Sequence, residues 1–212
     1  MATLDQLYTR LILDLARDDM GVGGELEQAK IDAVADAIEA HADTLFWFNR
    51  ASGTAATVAA TAALALPAGM RIALLVTCRG AELAKVGLEE IQAGDTSASG
   101  PPARWAEDEG AIHLQPTPDA AYALSVHGIA EIGVPATGGN ANAWTTEARE
   151  LILAEAKIRL CRGPLRDPDG LALARDARGE ALGRLRRETA RRRSAPMATD
   201  LPVPAGFDIR TG

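Results

Sequence analysis

Apolar residues recur every three or four positions near the two ends of this chain and every second position between them. Leu4, Leu7, Tyr8, Leu11, Ile12 and Leu15 make one apolar stripe, which predicts an amphipathic helix. Thr3 and Gln6 ahead of it have capping-box spacing, in which each side chain meets the other residue's backbone amide. Gly21, Gly23 and Gly24 are expected to close that helix, because glycine enters the left-handed conformation readily. From about Glu25 a second helix turns Leu26, Ala29, Ile31, Val34, Ile38 and Leu45 inward. Its acidic side, with Glu25, Asp32, Asp36 and Glu39, reads as a solvated face. Phe46-Trp47-Phe48 is expected to form the core between this helical layer and the next element, since aromatic rings bury the most area.

In the middle of the chain the period changes. Across residues 54–66, Val58, Ala60, Ala62, Leu64 and Leu66 share one parity, and Thr57 and Thr61 the other. With the Pro67-Ala68-Gly69 turn, this predicts a strand whose partner is Arg71 to Cys78. In that partner, Ile72, Leu74 and Val76 are expected on one face and Leu75 on the other. A short helix near Leu88 to Ala93 follows, then a Gly/Ser/Pro loop. Two more runs alternate, Ile112 and Leu114, then Tyr122, Leu124 and Val126. Pro116-Thr117-Pro118-Asp119 between them is turn chemistry, so a hairpin is expected. Matching Ile112 with Val126 and Leu114 with Leu124 puts His113 and His127 on its polar face.

The helical period returns after a Gly/Asn-rich connector at 137–142. A helix is expected near Trp144, capped by Thr145 or Thr146, with Leu151, Ile158 and Leu165 along it. Gly163-Pro164 and the Asp-Pro-Asp-Gly turn break it, and Asp169 is expected to cap a last helix from Leu171 to about Arg193. Gly179 and Gly183 inside that helix signal either tolerance on an exposed surface or close approach of a neighbouring subunit. Beyond Ser194 the chain is proline-punctuated and reads as an extended tail. There Leu201, Val203, Phe207 and Ile209 share odd parity, the pattern of a strand awaiting a sheet edge. The fold class is therefore α+β: mainly a helical bundle with an inserted small antiparallel β-sheet and an extended C-terminal tail. Residues 1–50 hold the N-terminal helices and 51–135 the β domain. Residues 143–193 return to the helical domain, and 194–212 are the tail.

Composition narrows the function. Lys and Arg total 22 against 29 Asp and Glu, a net charge of −7 over 212 residues. That balance argues against a whole surface built for nucleic acid. Hydrophobic residues reach 47% although aromatics are only 4%, so alanine-rich helices with small contact surfaces follow, and oligomer packing would bury more of them. Cys78 and Cys161 make neither a disulfide framework nor a metal cluster and read as small buried hydrophobes. There is no apolar run of membrane length, and the amphipathic N-terminus with Asp5 is unlike a signal peptide. Synthesis in a reducing cytoplasm is expected. Eleven of the 22 basic residues are arginines between Arg159 and Arg193. No catalytic constellation assembles. His113 and His127 lack further zinc ligands, and Ser125 lacks a nucleophile elbow and an acidic orienter. Gly21-Val22-Gly23-Gly24 lies between helices rather than after a strand. The expectation is no enzyme, no cofactor and no metal.

One order of elements stands out. Gly100-x-Pro102-x-x-Trp105 precedes Leu114-x-Pro116-Thr117-Pro118-Asp119 and then Tyr122-x-Leu124-x-Val126. Before them come Trp47-Phe48-Asn49, a Thr/Ala strand and Leu66-Pro67-x-Gly69; after them, a helical region and a polar tail. This resembles the adaptor, or head-to-tail connector, proteins of tailed bacteriophages, with Trp105 where a Tyr is more usual. The resemblance implies a structural virion protein in the neck, made in the host bacterial cytoplasm. It implies a homo-oligomeric ring, usually of twelve copies, bound to the portal protein above and to tail or neck proteins below, with DNA passing non-specifically through its lumen. The helices would build the ring. The tail would dock on the portal or a neighbouring adaptor by strand addition through Leu201, Val203, Phe207 and Ile209, with Arg191, Arg192 and Arg193 pairing with acidic groups there. Asp32, Asp36 and Glu39, or the Glu107-Asp108-Glu109 turn, would line the lumen and repel DNA. The alternatives are a tail-terminator or other neck protein, and an Arg-dependent DNA-binding accessory protein whose affinity falls with salt.

Overall fold

A computed structural model describes residues 1–21, 23–94 and 98–193. The first helix, α1 (Leu4–Leu15), opens on the expected capping box: the Gln6 amide donates to Thr3 Oγ1 at 3.3 Å, and the Thr3 amide donates to Gln6 Oε1 at 3.1 Å. Its end differs from expectation. Ala16, not a glycine, takes the left-handed conformation at φ 50°, and a 3₁₀ turn at Asp18–Gly21 follows. The glycines act one element later, Gly24 leading into α2 (Glu25–Ala42) at φ 102°. Along α2, Ala33, Val34, Ala37 and Ile38 are buried, but Ile31 is 37% exposed. Lys30 takes an inner position instead. Its stem is buried, its Nζ donates to the Met20 carbonyl at 3.0 Å, and the ammonium lies 5.2 Å from the Tyr8 ring. A long amphipathic side chain can cover apolar surface while its charge is met at the tip.

The C-terminal helices complete this layer. Asn142, not Thr145 or Thr146, caps α4 (Ala143–Thr146), accepting from the Trp144 and Thr145 amides. After it come α5 (Arg149–Arg162) and α6 (Pro168–Arg193). The last helix begins at Pro168, a residue suited to a first helical position. Asp167 serves there in place of Asp169, its Oδ1 accepting from the Gly170 amide at 3.0 Å. Helix α5 packs against both α2 and α6. Leu151, Ile152, Leu153, Ala156 and Leu160 meet Leu7, Leu11, Val34, Ile38, Ala181 and Leu185 in one core. Phe46 is fully buried there, stacked on Phe48 at 5.3 Å between ring centroids, with both rings edge-on to Trp144. The aromatic triplet is the joint that the sequence suggested.

The β region is two sheets, not one. Its strands are β1 (Arg50–Ala56), β2 (Ala63–Ala65), β3 (Met70–Cys78), β4 (Ala81–Glu82), β5 (Ala84–Lys85), β6 (Arg104–Asp108), β7 (Ala111–Gln115) and β8 (Ala123–Ala130), with α3 (Leu88–Ala93) between β5 and β6. One sheet has the order β1-β8-β3-β4 and the other β2-β7-β6-β5. All pairs are antiparallel except β5 with β6. The run 54–66 is broken in two. Thr57 Oγ1 donates to the Ala120 carbonyl and accepts from the Tyr122 amide, each at 2.8 Å, where the chain leaves the first sheet for the second. Accordingly β3 pairs with β8 rather than with residues 54–66.

The expected hairpin at Pro116–Asp119 does not form. β7 pairs with β2 and β6 while β8 pairs with β1 and β3, so that segment crosses between sheets. Ile112 and Leu114 still meet Leu124 and Val126, but across the core that Trp105, Val76 and Tyr122 complete. Tight hairpins form instead at β6–β7, turning on Glu109 and Gly110 with φ of 47° and 76°, and at β3–β4, turning on Arg79 and Gly80 with φ of 53° and 81°, pairs of left-handed residues that match strand twist. Two register shifts in β3 break its expected alternation, leaving Ala73 and Val76 inward and Leu74 42% exposed. They also bring β3 close to Gly128, where an added Cβ would lie 1.9 Å from the Ile72 carbonyl oxygen. Both cysteines are buried free thiols.

Candidate docking surfaces

Helix α6 shows α5 only a narrow face: Ala174, Ala181, Leu185 and Thr189 are buried. The remaining positions carry its arginines. Arg178 reaches back to Glu155 on α5 at 2.5 Å. Arg175, Arg184, Arg186 and Arg187 are exposed and make no ion pair among the described residues. At the helix end, Arg191 and Arg192 share Glu188 at 2.7 and 2.6 Å. Hydrogen bonds from these two guanidinium groups hold the Glu188 carboxyl down to about 2. The Arg192 guanidinium also lies 4.7 Å from the Trp47 ring centroid. Arg193 lines a cleft of about 490 Å³ at the junction of helices and sheet, with Leu45, Arg50, Ser52, Leu74, Leu75 and His127 around it. The structure thus gathers Arg191, Arg192 and Arg193 at one end of α6, while Leu201, Val203, Phe207 and Ile209 lie outside the described residues.

The opposite charge lies on α2. Glu25, Asp32, Asp36, Glu39 and Asp43 form an exposed ridge. Asp36 pairs with Arg159 at 3.0 Å, and Glu39 and Asp43 hold Arg71 of β3 at 2.5 and 2.6 Å. Those hydrogen bonds raise the Arg71 pKa and clamp the first sheet to the helical layer. Beside the ridge, a groove of about 590 Å³ between α1 and α2 is lined by Tyr8, Ile12, Ile31 and Val134, with Asp5 and Glu27 on its rim. The Tyr8 phenol is pushed up by burial and then by the charges of Asp5 and Asp32. Behind the ridge, buried His41 lies 3.7 Å from Glu155, and desolvation holds its pKa down. Sequence reasoning missed the Arg71 clamp and the buried Lys30, because their partners are distant in the chain or are backbone carbonyls.

The two histidines considered for metal are separated, His113 in β7 of one sheet and His127 in β8 of the other. Among the described residues no group of three or more His, Cys, Asp or Glu could hold a metal ion, and no helix is long and apolar enough to cross a membrane. What the surface offers instead is shallow clefts, one at the junction of helices and sheet and one between α1 and α2, with an acidic ridge along α2. The chain belongs to the SU10 adaptor protein family, whose model it matches over residues 2–200. It is therefore a structural phage protein of an adaptor family and a component of the virion. No curated protein matches it.

Proposed function

We propose that the protein is the adaptor ring that joins the phage portal to the tail, with DNA passing through its lumen. The observation that carries this reading is the family match along nearly the whole chain, residues 2–200, which spans both the helical layer and the two sheets. The geometry supports a division of labour. The helices, with acid on α2 and arginines on α6, suit contact between copies; the β region, its first sheet clamped to the helices at Arg71, would project from them. The net charge of −7 disfavours DNA adhering to the wall of a passage, since like charge repels the phosphate backbone.

In this reading, residues 194–212 dock on the portal. Leu201, Val203, Phe207 and Ile209 add a strand to a sheet edge of the partner, where backbone hydrogen bonds supply affinity and alternate side chains specificity. Arg191, Arg192 and Arg193 pair with carboxylates beside that edge. Glu188 competes for the first two, so Arg193 is the arginine best placed to reach a partner. Light scattering of the protein mixed with portal rings, with and without residues 194–212, tests this. The full chain should join the portal and the truncated chain should not. A full chain that ignores the portal but binds duplex DNA in a salt-dependent way would replace the adaptor reading with the DNA-binding one.

A further inference from the structure

Among the described residues the two sheets have four end strands, and three of them are short. β2, β4 and β5 span three, two and two residues, whereas β1 spans seven. Brevity blunts an edge against pairing with another segment, and so do proline, lysine and bulges. β1 has none of these: it holds no proline or lysine and pairs with β8 in unbroken register. Two bonds at the flanks fix the phase of that ladder. The Thr57 amide donates to the Tyr122 carbonyl at 3.0 Å on the β1 side, and the Glu131 amide donates to the Gly69 carbonyl at 2.8 Å on the β3 side. In an antiparallel ladder, alternate residues turn both backbone groups to the same neighbour. Ala51, Gly53 and Ala55 therefore bond to β8, while Arg50, Ser52, Thr54 and Ala56 turn theirs to the open edge, and all four are exposed.

The chain itself supplies a strand for this edge. Helix α6 ends beside the start of β1: the Arg192 guanidinium lies 4.7 Å from the Trp47 ring centroid, and Arg193 lines the cleft with Arg50, Ala51 and Ser52. Nineteen residues follow, in which Leu201, Val203, Ala205 and Phe207 alternate with Pro202, Pro204 and Gly206. A strand of that pattern can pair on one side only, because both prolines, which lack the N–H, fall on the other. We infer that residues 201–207 of the free protein add to the open edge of β1 in the same copy, antiparallel to it. Leu201 then lies opposite Ala56, Val203 opposite Thr54, Ala205 opposite Ser52, and Phe207 opposite Arg50 at the mouth of the cleft. Residues paired in this way share a face, so the apolar side chains extend the row that Ser52, His127 and Leu75 form across the sheet. The reach suffices. The eight steps from Arg193 to Leu201 span up to ~27 Å, more than the ~20 Å from Arg50 to Ala56. So short a link presents the segment to β1 at an effective concentration of roughly millimolar, and the prolines leave the new edge without donors for a further strand. These are the residues assigned above to the portal, so portal docking moves one strand from one edge to another. The pairing with β1 itself does not depend on the portal reading.

The test is amide hydrogen exchange of the full-length protein, resolved by residue in NMR spectra. Ala51, Gly53 and Ala55 are protected by β8 in any case and serve as the internal reference. The Ser52, Thr54 and Ala56 amides should exchange slowly too, and equally so at low and high protein concentration. Ala205→Pro removes an amide that faces β1 and should speed exchange at those positions by about tenfold or more. Gly206→Pro removes one that faces solvent and should leave them protected, a dependence on parity that mere loosening of the tail would not produce. Fast exchange at Ser52, Thr54 and Ala56 in the wild-type chain, or equal effects of the two prolines, would overturn the inference. Protection that appears only at high concentration would also overturn it, by giving the edge to a second copy. None of these outcomes touches the adaptor reading, which falls only if the full chain ignores the portal.

Discussion

Replacing Gly128 with alanine should cost more stability than its single methyl suggests. Gly128 lies in the central strand β8, between β1 and the irregular β3. A Cβ built there lies 1.9 Å from the Ile72 carbonyl oxygen and 3.1 Å from the Ala73 Cα. Those are backbone atoms of a paired strand, so no rotamer change relieves the clash. Reaching a tolerable contact near 3.0 Å requires β3 to retreat by about 1 Å. Overpacking of this kind costs about 1–3 kcal/mol, and each ladder hydrogen bond lost adds about 1 kcal/mol. A total of about 3 kcal/mol follows, a large share of the roughly 5–15 kcal/mol that holds a domain together. At about 2–4 °C per kcal/mol for a chain of this size, the melting temperature should fall by roughly 10 °C. Thermal unfolding followed by circular dichroism measures this directly. A fall of less than about 3 °C would mean that β3 does not approach β8 as its two register shifts require, and would refute that part of the fold.

Two other substitutions probe the helical layer. Gly179→Ala on α6 meets nothing within 4 Å, so in the monomer it should stabilise by about 0.5–1 kcal/mol through helix propensity and lost unfolded-state entropy; a lower melting point would show that Gly179 is packed. His41 is held below its usual pKa, first by burial, then by the charges of Arg178 and Arg186, against the opposing pull of Glu155. A histidine with a depressed folded pKa contributes stability that is present above the unfolded value near 6.5 and lost as pH falls through the folded value. Stability should therefore decline below about pH 6.5, and His41→Gln should flatten that decline; an unchanged profile would assign the acid sensitivity to other groups.

The periodicities that could be read from the chain were those set by neighbours three, four or two residues away. α1, its capping box, the start of α2 and the short α3 all followed from local spacing. The alternation at Ile112, Leu114, Leu124 and Val126 named the residues of the β core correctly but not their sheets. A period of two says which side chains face inward; it does not say which edge a strand joins. The Pro116–Asp119 turn chemistry was real, yet it served a crossover, because Thr57 ties Ala120 and Tyr122 to the end of β1. Ile31, expected inward, yields its place to Lys30 for a similar reason, since the Met20 carbonyl that receives Lys30 is delivered by the loop after α1. Of the candidate docking residues, the arginine cluster was visible in composition. The acidic face of α2 was visible as well, but its hold on Arg71 and Arg159 was not, because those partners are distant in the chain.

The measurement closest to the central claim is native mass spectrometry of the purified protein bound to its portal. A complex with one copy of this chain per portal subunit, lost when residues 194–212 are removed, is the expected result. A complex with no fixed ratio, or one that persists unchanged without that segment, would contradict the account of a ring held to the portal by its C-terminal segments.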